Sequence, residues 1–169
     1  MTGPEFVIRA CKGSDCPALV NLVRALAVYE RLEAYVQATP DDFRATCSVP
    51  IPPPTRSWPR REEPRWASPS FFPPYSTFRG RPGLYLEDLF VEPAHRGRGI
   101  GKALLASVAR RALERGCGRV EWSVLDWNTP AIAFYESTGA RALKEWTVYQ
   151  VDDESLARLA SLAPEAQGT

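Results

Sequence analysis

The stretch Leu84-Tyr85-Leu86-Glu87-Asp88-Leu89-Phe90-Val91-Glu92-Pro93-Ala94-His95-Arg96-Gly97-Arg98-Gly99-Ile100-Gly101-Lys102 decides the fold of this chain. Its first half, dense in leucine, aromatic and β-branched residues, predicts a strand from Leu84 to Val91. Glu92-Pro93 closes that strand, because proline cannot donate to a sheet ladder. Three glycines then fall between Arg96 and Gly101. Glycine lets the backbone come close to a ligand, and the first N–H groups of a helix have no acceptor within the helix and bind an anion. Pyrophosphate is the anion expected here, with Arg96, Arg98 and Lys102 adding positive charge. A glycine-rich turn that holds no ligand has the same pattern.

Two other phosphate loops are excluded by spacing. A Walker loop requires Gly-x-x-x-x-Gly-Lys-Ser/Thr, but Arg96 stands at its first glycine and Ala103 follows Lys102. The dinucleotide fingerprint Gly-x-Gly-x-x-Gly fails because Gly97 and Gly99 are followed by Gly101 and then Lys102. Downstream, Ile100, Leu104, Leu105, Val108 and Ala112 recur at helical spacing, predicting an amphipathic helix through Arg115 with Gly116 as its C-cap.

Further out, Val120, Trp122 and Val124 alternate with polar residues as in a half-buried strand. Thr129-Pro130 opens a helix that Gly139 closes. Leu143 to Val151 reads as a last strand, and Asp152 or Asp153 caps a final helix carrying Leu156, Leu159 and Leu162. Toward the N-terminus, Phe6-Val7-Ile8-Arg9 reads as a first strand. Ser14-Asp15 cap a helix from Pro17 to Tyr29 with Leu19, Leu22, Val23 and Leu26 on one face. Thr39-Pro40-Asp41-Asp42 is another start signal, with proline at N1 and acids in the first turn. The order of elements predicts one α/β domain over residues 1–169, built on a mixed sheet.

The bulk properties narrow the function. Twenty-one basic residues against 20 acidic ones leave a formal charge of +1, so no global field argues for nucleic acid or a membrane surface. No apolar run is long enough to span a bilayer and the first residues lack a signal-peptide pattern, so a cytoplasmic protein is expected. Cys11, Cys16, Cys47 and Cys117 form no CxxC pair, and His95 is the single histidine. Neither a metal site nor a disulfide framework is expected, and a triad built on His95 is disfavoured by its Arg/Gly-rich surroundings.

Arg96-x-x-Gly99-x-Gly101, after a strand and opening a helix, resembles the loop with which the GNAT superfamily holds the pyrophosphate of coenzyme A. The resemblance is wider than the loop. Phe6-Val7-Ile8-Arg9, Leu26-Ala27-Val28-Tyr29-Glu30, Leu84 to Val91, Trp127-Asn128-Thr129-Pro130, Phe134-Tyr135 and Gly139-Ala140 are similar, in order and spacing, to the diamine (spermidine/spermine) acetyltransferases. It covers residues 5–46 and 75–151. It implies the GNAT fold, a mixed and mostly antiparallel sheet flanked by helices, and transfer of acetyl from acetyl-CoA to a small primary amine such as a diamine, a polyamine or an amino-acid-like amine. A homodimer is implied as well.

The same resemblance distributes the roles. Phe90, Val91, Arg96, Gly97, Arg98, Gly99, Ile100, Gly101, Lys102 and Asn128 would bind the cofactor, Asn128 through its amide arm. Glu87 would take the proton of the attacking amine, which is mostly charged at neutral pH, and Tyr135 would protonate the departing thiolate. Glu30, Glu33 and Asp88 would line a pocket for a cationic substrate. Read without the resemblance, Glu87 is equally a solvated strand residue, Tyr135 a core aromatic, and the acids a solvated face. Trp122, Trp127 and Trp146 are most simply core or dimer-interface residues. The rival function is a non-catalytic acyl-CoA-binding or interaction protein with a degraded acceptor site.

Residues 48–74 are out of keeping with the rest: nine of the 27 are proline, with Arg56, Arg60, Arg61 and Arg65 among them. The family has a β-hairpin of the central sheet here, and proline at this density is incompatible with one. One reading is a polyproline-like insert. The other, which we prefer, is a pair of compensating frame errors. Shifting the frame by one base, with codons chosen to suit, turns Cys47 to Phe72 into LFGPHPPPHALVAEAGGAEVGFALFF, two strands around a Gly-Gly turn.

Overall fold

A computed structural model describes residues 6–9, 11–48, 67–72, 75–76 and 80–163, and for 45–48, 67–72 and 75–76 it describes the backbone alone. Two compact units are present, Met1–Leu125 and Asp126–Thr169.

In the first unit, helix α1 spans Cys16–Glu30 and ends on Arg31, whose left-handed φ of 62° lets its N–H reach the carbonyls of Ala27 and Val28. Its start is held by a buried carboxylate, Asp15, 3% exposed. Asp15 Oδ2 accepts from Arg9 Nη1 at 2.7 Å and from the Lys12 N–H at 2.9 Å. Helix α2, Pro40–Ser48, starts where the proline and the acids indicated. Asp42 Oδ2 accepts from the Thr39 hydroxyl at 2.6 Å and from the Thr39 N–H at 2.8 Å, fixing the entry of the chain. Both arrangements tie up polar groups at helix starts.

The sheet has the order β1-β4-β5, with β1 at Ala67–Phe72, β4 at Leu84–Val91 and β5 at Val120–Glu121. β1 runs antiparallel to β4, from Ala67 opposite Val91 to Phe72 opposite Tyr85, with a register shift between Ser70 and Phe71. β5 is parallel to β4 and pairs only at Leu84/Val120 and Tyr85/Glu121. Short strands β2 (Tyr75–Ser76) and β3 (Arg81–Pro82) form a separate antiparallel pair. Leu84, Leu86 and Phe90 of β4 are buried, as are Val20 and Leu22 of α1. Helix α3, Ile100–Glu114, buries Ile100, Leu104, Leu105, Val108 and Ala112, the five positions read from its periodicity. Each large apolar side chain so enclosed contributes roughly 1.5–3 kcal/mol, and α1 and α3 both pack on the β1–β4 pair.

The second unit holds helix α4, Thr129–Ser137, and helix α5, Asp153–Ala160. Gly139 follows α4 with φ 88°.

Several strand expectations are corrected. Among the described residues Phe6 to Arg9 joins no ladder, and it is tied down by the Arg9–Asp15 pair. The strand at Val120 stops at Glu121 rather than running to Val124, because its pairing with β4 ends there. Leu143 to Val151 is not a strand: a turn falls at Lys144-Glu145, and among the described residues none pairs with it. A strand exists only where a neighbour completes its hydrogen bonds, whatever its own pattern. In the Pro/Arg-rich segment, residues 49–66 and 73–74, with the first hairpin strand expected there, lie outside the described residues. Residues 67–72, judged too proline-rich for the sheet, nevertheless form β1. Among the described residues β1 is bonded to β4 alone, which leaves Pro69 at a sheet edge where its missing N–H is tolerated, and the register breaks just beyond it.

Candidate active site

The strand β4 delivers the chain to a one-turn helix, Pro93–His95, and then to Arg96. Gly97 has φ 75° and Gly99 φ 78°, left-handed values that cost other L-residues energy. A Cβ built at either glycine meets nothing within 4 Å. The glycines are therefore required for backbone conformation, and the space over the loop is open to a ligand. Gly99 is the N-cap of α3, and the buried Ile100, 4% exposed, pins the helix start to the core. Arg98 and Lys102 are exposed beside that start. Open space, first-turn N–H groups, the positive end of a 15-residue helix and two nearby cations together fit a pyrophosphate.

Arg96 is turned toward the protein. Its Nε donates to the Val91 carbonyl at 2.9 Å. Its guanidinium carbon lies 4.7 Å from the centre of the Tyr29 ring and 5.7 Å from that of Phe90. Phe90 is buried and Val91 half-buried. Between Leu86 and Val91, β4 runs on after β5 has left it. At the point of parting, Tyr85 Oη and Ser123 Oγ share a hydrogen bond of 2.8 Å.

The acidic residues divide by face, since side chains alternate along a strand. Glu87 is exposed on β4, whereas Asp88 is half-buried and lines a small open cleft with Leu22 and Leu26 of α1 and Phe43 of α2. Burial, and then the Glu87 charge, push the Asp88 carboxyl above its ordinary pKa. Burial, and then the Asp88 charge, push Glu30 up likewise at the end of α1. Asp88 thus lies within electrostatic reach of both Glu30 and Glu87. Glu33 sits exposed in a short turn, Glu33–Tyr35.

In the second unit, Asn128 is buried at 6% exposure and caps α4, its Oδ1 accepting from the Ala131 N–H at 3.3 Å. Tyr135 is half-buried on α4, with its ring centre 5.2 Å from that of Phe134. Among the described residues, Cys11, Cys16 and Cys117 are in the thiol form, not in disulfides. Among the described residues no group of three His, Cys, Asp or Glu side chains is arranged to hold a metal, and no helix is long and apolar enough to cross a membrane.

Sequence reading left Tyr29 and the Tyr85–Ser123 pair without roles. Each acts through a partner far away in the chain, and no local pattern marks such a pair.

The family model described as the acetyltransferase (GNAT) family matches residues 56–140, a span that crosses the boundary between the two units. A thialysine N-epsilon-acetyltransferase of Sus scrofa is 34% identical, over 92% of this chain and 98% of that protein. An L-ornithine N5-acetyltransferase of Arabidopsis thaliana is 46% identical over 51% of this chain, which spans only 38% of that relative's length. Among solved structures, an integron cassette protein from V. cholerae superposes with a TM-score of 0.65 at 22% identity, covering 90% of this chain and 95% of that one. An aminoglycoside acetyltransferase from an uncultured soil sample superposes at 0.64 and 16% identity, covering 84% and 93%. These likenesses show the fold, and with the family match and the full-length relative they establish that the chain belongs to the GNAT family of acetyltransferases.

Proposed function

We propose that the protein moves the acetyl group of acetyl-CoA to a primary amine on a small aliphatic molecule by direct attack on the thioester. The observation that carries this reading is the loop at the start of α3. Two left-handed glycines with open space above them follow a strand whose neighbour has just departed. The loop suits the pyrophosphate, and the β4 edge from Leu86 to Val91 suits the amide-bearing arm that leads to the thioester, since extended amides pair with strand backbone.

The acceptor reading draws on the relatives. Thialysine and L-ornithine, the substrates in the names of the two relatives, share with the polyamines an amine at the end of a flexible chain. Glu30 and Asp88 favour such a cation by charge. Both carboxyls hold their protons more tightly than usual, so an arriving ammonium would both neutralise them and find a nearby acceptor for its proton. Glu87, exposed on the same strand, remains the candidate base from the resemblance. Asp88 is a second candidate, favoured by its burial and raised pKa, because a base poised nearer neutrality is the more effective one. Tyr135 as proton donor to the thiolate, Asn128 as a contact for the cofactor arm, a single domain over the whole chain, a homodimer and a cytoplasmic location complete the proposal and rest on the sequence.

Purified protein should release free thiol from acetyl-CoA when given thialysine, L-ornithine or spermidine, with one amine clearly preferred. Acetyl-CoA binding without turnover on any of them would leave the non-catalytic reading.

A further inference from the structure

We propose that Arg96 and Tyr29 are positioning residues that hold the donor loop in its binding shape, Arg96 acting through the aromatic rings and leaving the phosphate charge to Arg98, Lys102 and the start of α3. The inference rests on the reading of this loop as the site for the donor's pyrophosphate.

The loop needs such a device. Gly97 and Gly99 both hold left-handed backbone, and nothing lies within 4 Å of where their side chains would begin. Gly97, Arg98 and Gly99 are exposed, so this stretch is not enclosed in the core. Its far end is fixed by Ile100, sunk in the core. Its near end is Arg96. That guanidinium is flat, lies over Tyr29 at 4.7 Å and near Phe90 at 5.7 Å, and is oriented by the Nε bond of 2.9 Å to the Val91 carbonyl. A planar cation stacks on ring faces in a way that the ammonium of lysine does not reproduce. Tyr29 belongs to α1 and Phe90 to β4, so one side chain joins the loop to two rigid elements. Tyr29 also immediately precedes Glu30, which links the donor loop to the end of α1 where an acceptor amine is placed above.

Three variants test this: Tyr29→Leu removes the ring, Tyr29→Phe keeps its face, and Arg96→Met keeps the stem and removes the cation. The first readout is amide exchange of peptides covering residues 92–102 in the protein without ligand. The second is KM for acetyl-CoA against kcat. Tyr29→Leu and Arg96→Met should each speed loop exchange and raise that KM about two- to five-fold, the range of an exposed cation–π contact. With kcat near wild type, the double variant should be no worse than either single. Tyr29→Phe should behave as wild type.

The proposal is overturned if Arg96→Met raises KM while Tyr29→Leu leaves KM and exchange unchanged, since Arg96 would then act on the phosphate directly. Tyr29→Phe matching Tyr29→Leu would overturn it too. Should Tyr29→Leu fail to fold, Arg96→Met still decides, because Arg96 is exposed: unchanged exchange at 92–102 would overturn the clamp. A wild-type protein that does not use acetyl-CoA would end the functional reading, while the exchange comparison would still settle whether Tyr29 and Arg96 shape the loop.

Discussion

Asp88 carries the electrostatic tension of the site. Its carboxyl is raised by burial and then by Glu87, and Glu30 is raised by burial and then by Asp88. The folded protein keeps protons on these groups at pH values where the unfolded chain has released them. Their contribution to stability is complete below the unfolded carboxylate value, roughly pH 4, and is lost as pH rises through the raised folded values. Asp88→Asn removes the ionising group while keeping much of the shape. Its Tm should exceed that of the parent at pH 7 and converge with it near about pH 4, while the amine KM rises. An Asp88→Asn protein that melts lower at neutral pH would mean the carboxylate is a structural partner. Tyr135→Phe belongs to the same scale and separates chemistry from packing, since the ring and its contact with Phe134 are retained. If the hydroxyl protonates the thiolate, kcat should fall by about 10²-fold or more, with little change in KM for acetyl-CoA. A kcat near that of the parent would return Tyr135 to the role of a core aromatic.

Helix starts decide the behaviour of the elements. At α3 the N-cap is Gly99, with φ 78° and ψ 2°. Gly99→Ala forces a side chain into that conformation at a cost of about 1–2 kcal/mol, although the space around it is open. Lower Tm together with weaker acetyl-CoA binding is the expected result. A lower Tm with unchanged binding would detach the loop from the donor. At α2, Asp42 is held below the ordinary carboxylate range by its hydrogen bonds from Thr39. Its stabilising effect is present above the unfolded value and is lost as pH falls through the lowered folded one. Asp42→Ala should speed amide exchange over residues 40–44 at neutral pH, and the gap from the parent should close in acid. These helices were legible in the sequence because caps, proline at N1 and periodicity are local signals: Ile100, Leu104, Leu105, Val108 and Ala112 were named from spacing and are all buried. The strands were less legible. Val120 to Val124 has an alternating pattern, yet among the described residues the strand pairing stops at Val120 and Glu121. The glycine loop was legible for the same reason as the helices, whereas Arg96 on Tyr29 and Asp88 beside Glu30 join residues that only the fold brings together.

At the scale of the molecule the central question is what β1 replaces. β4 carries the buried Leu84, Leu86 and Phe90, and its edge opposite β5 has to be covered or left open to water and to other chains. The written sequence covers it with Ala-Ser-Pro-Ser-Phe-Phe, Ala67–Phe72, a strand with proline opposite Leu89 and a broken register after Ser70. The frame-shifted reading supplies Gly-Phe-Ala-Leu-Phe-Phe over the same six positions, with no proline and with three phenylalanines, which favour strands. That the poor sequence still lies on β4 is understandable if the sheet presents a ready edge there. The richer sequence would satisfy that edge better, and its partner strand would extend the sheet. A peptide mass map of the natural protein across residues 44–79 should therefore yield the hairpin peptides rather than the Pro/Arg-rich ones. A protein carrying the hairpin in place of Cys47 to Phe72 should melt higher than the chain as written. If the Pro/Arg-rich peptides are found and the exchange of segments lowers Tm, then the proline-bearing strand is native to this enzyme, and β1 keeps its place on β4 in spite of its own poor strand pattern.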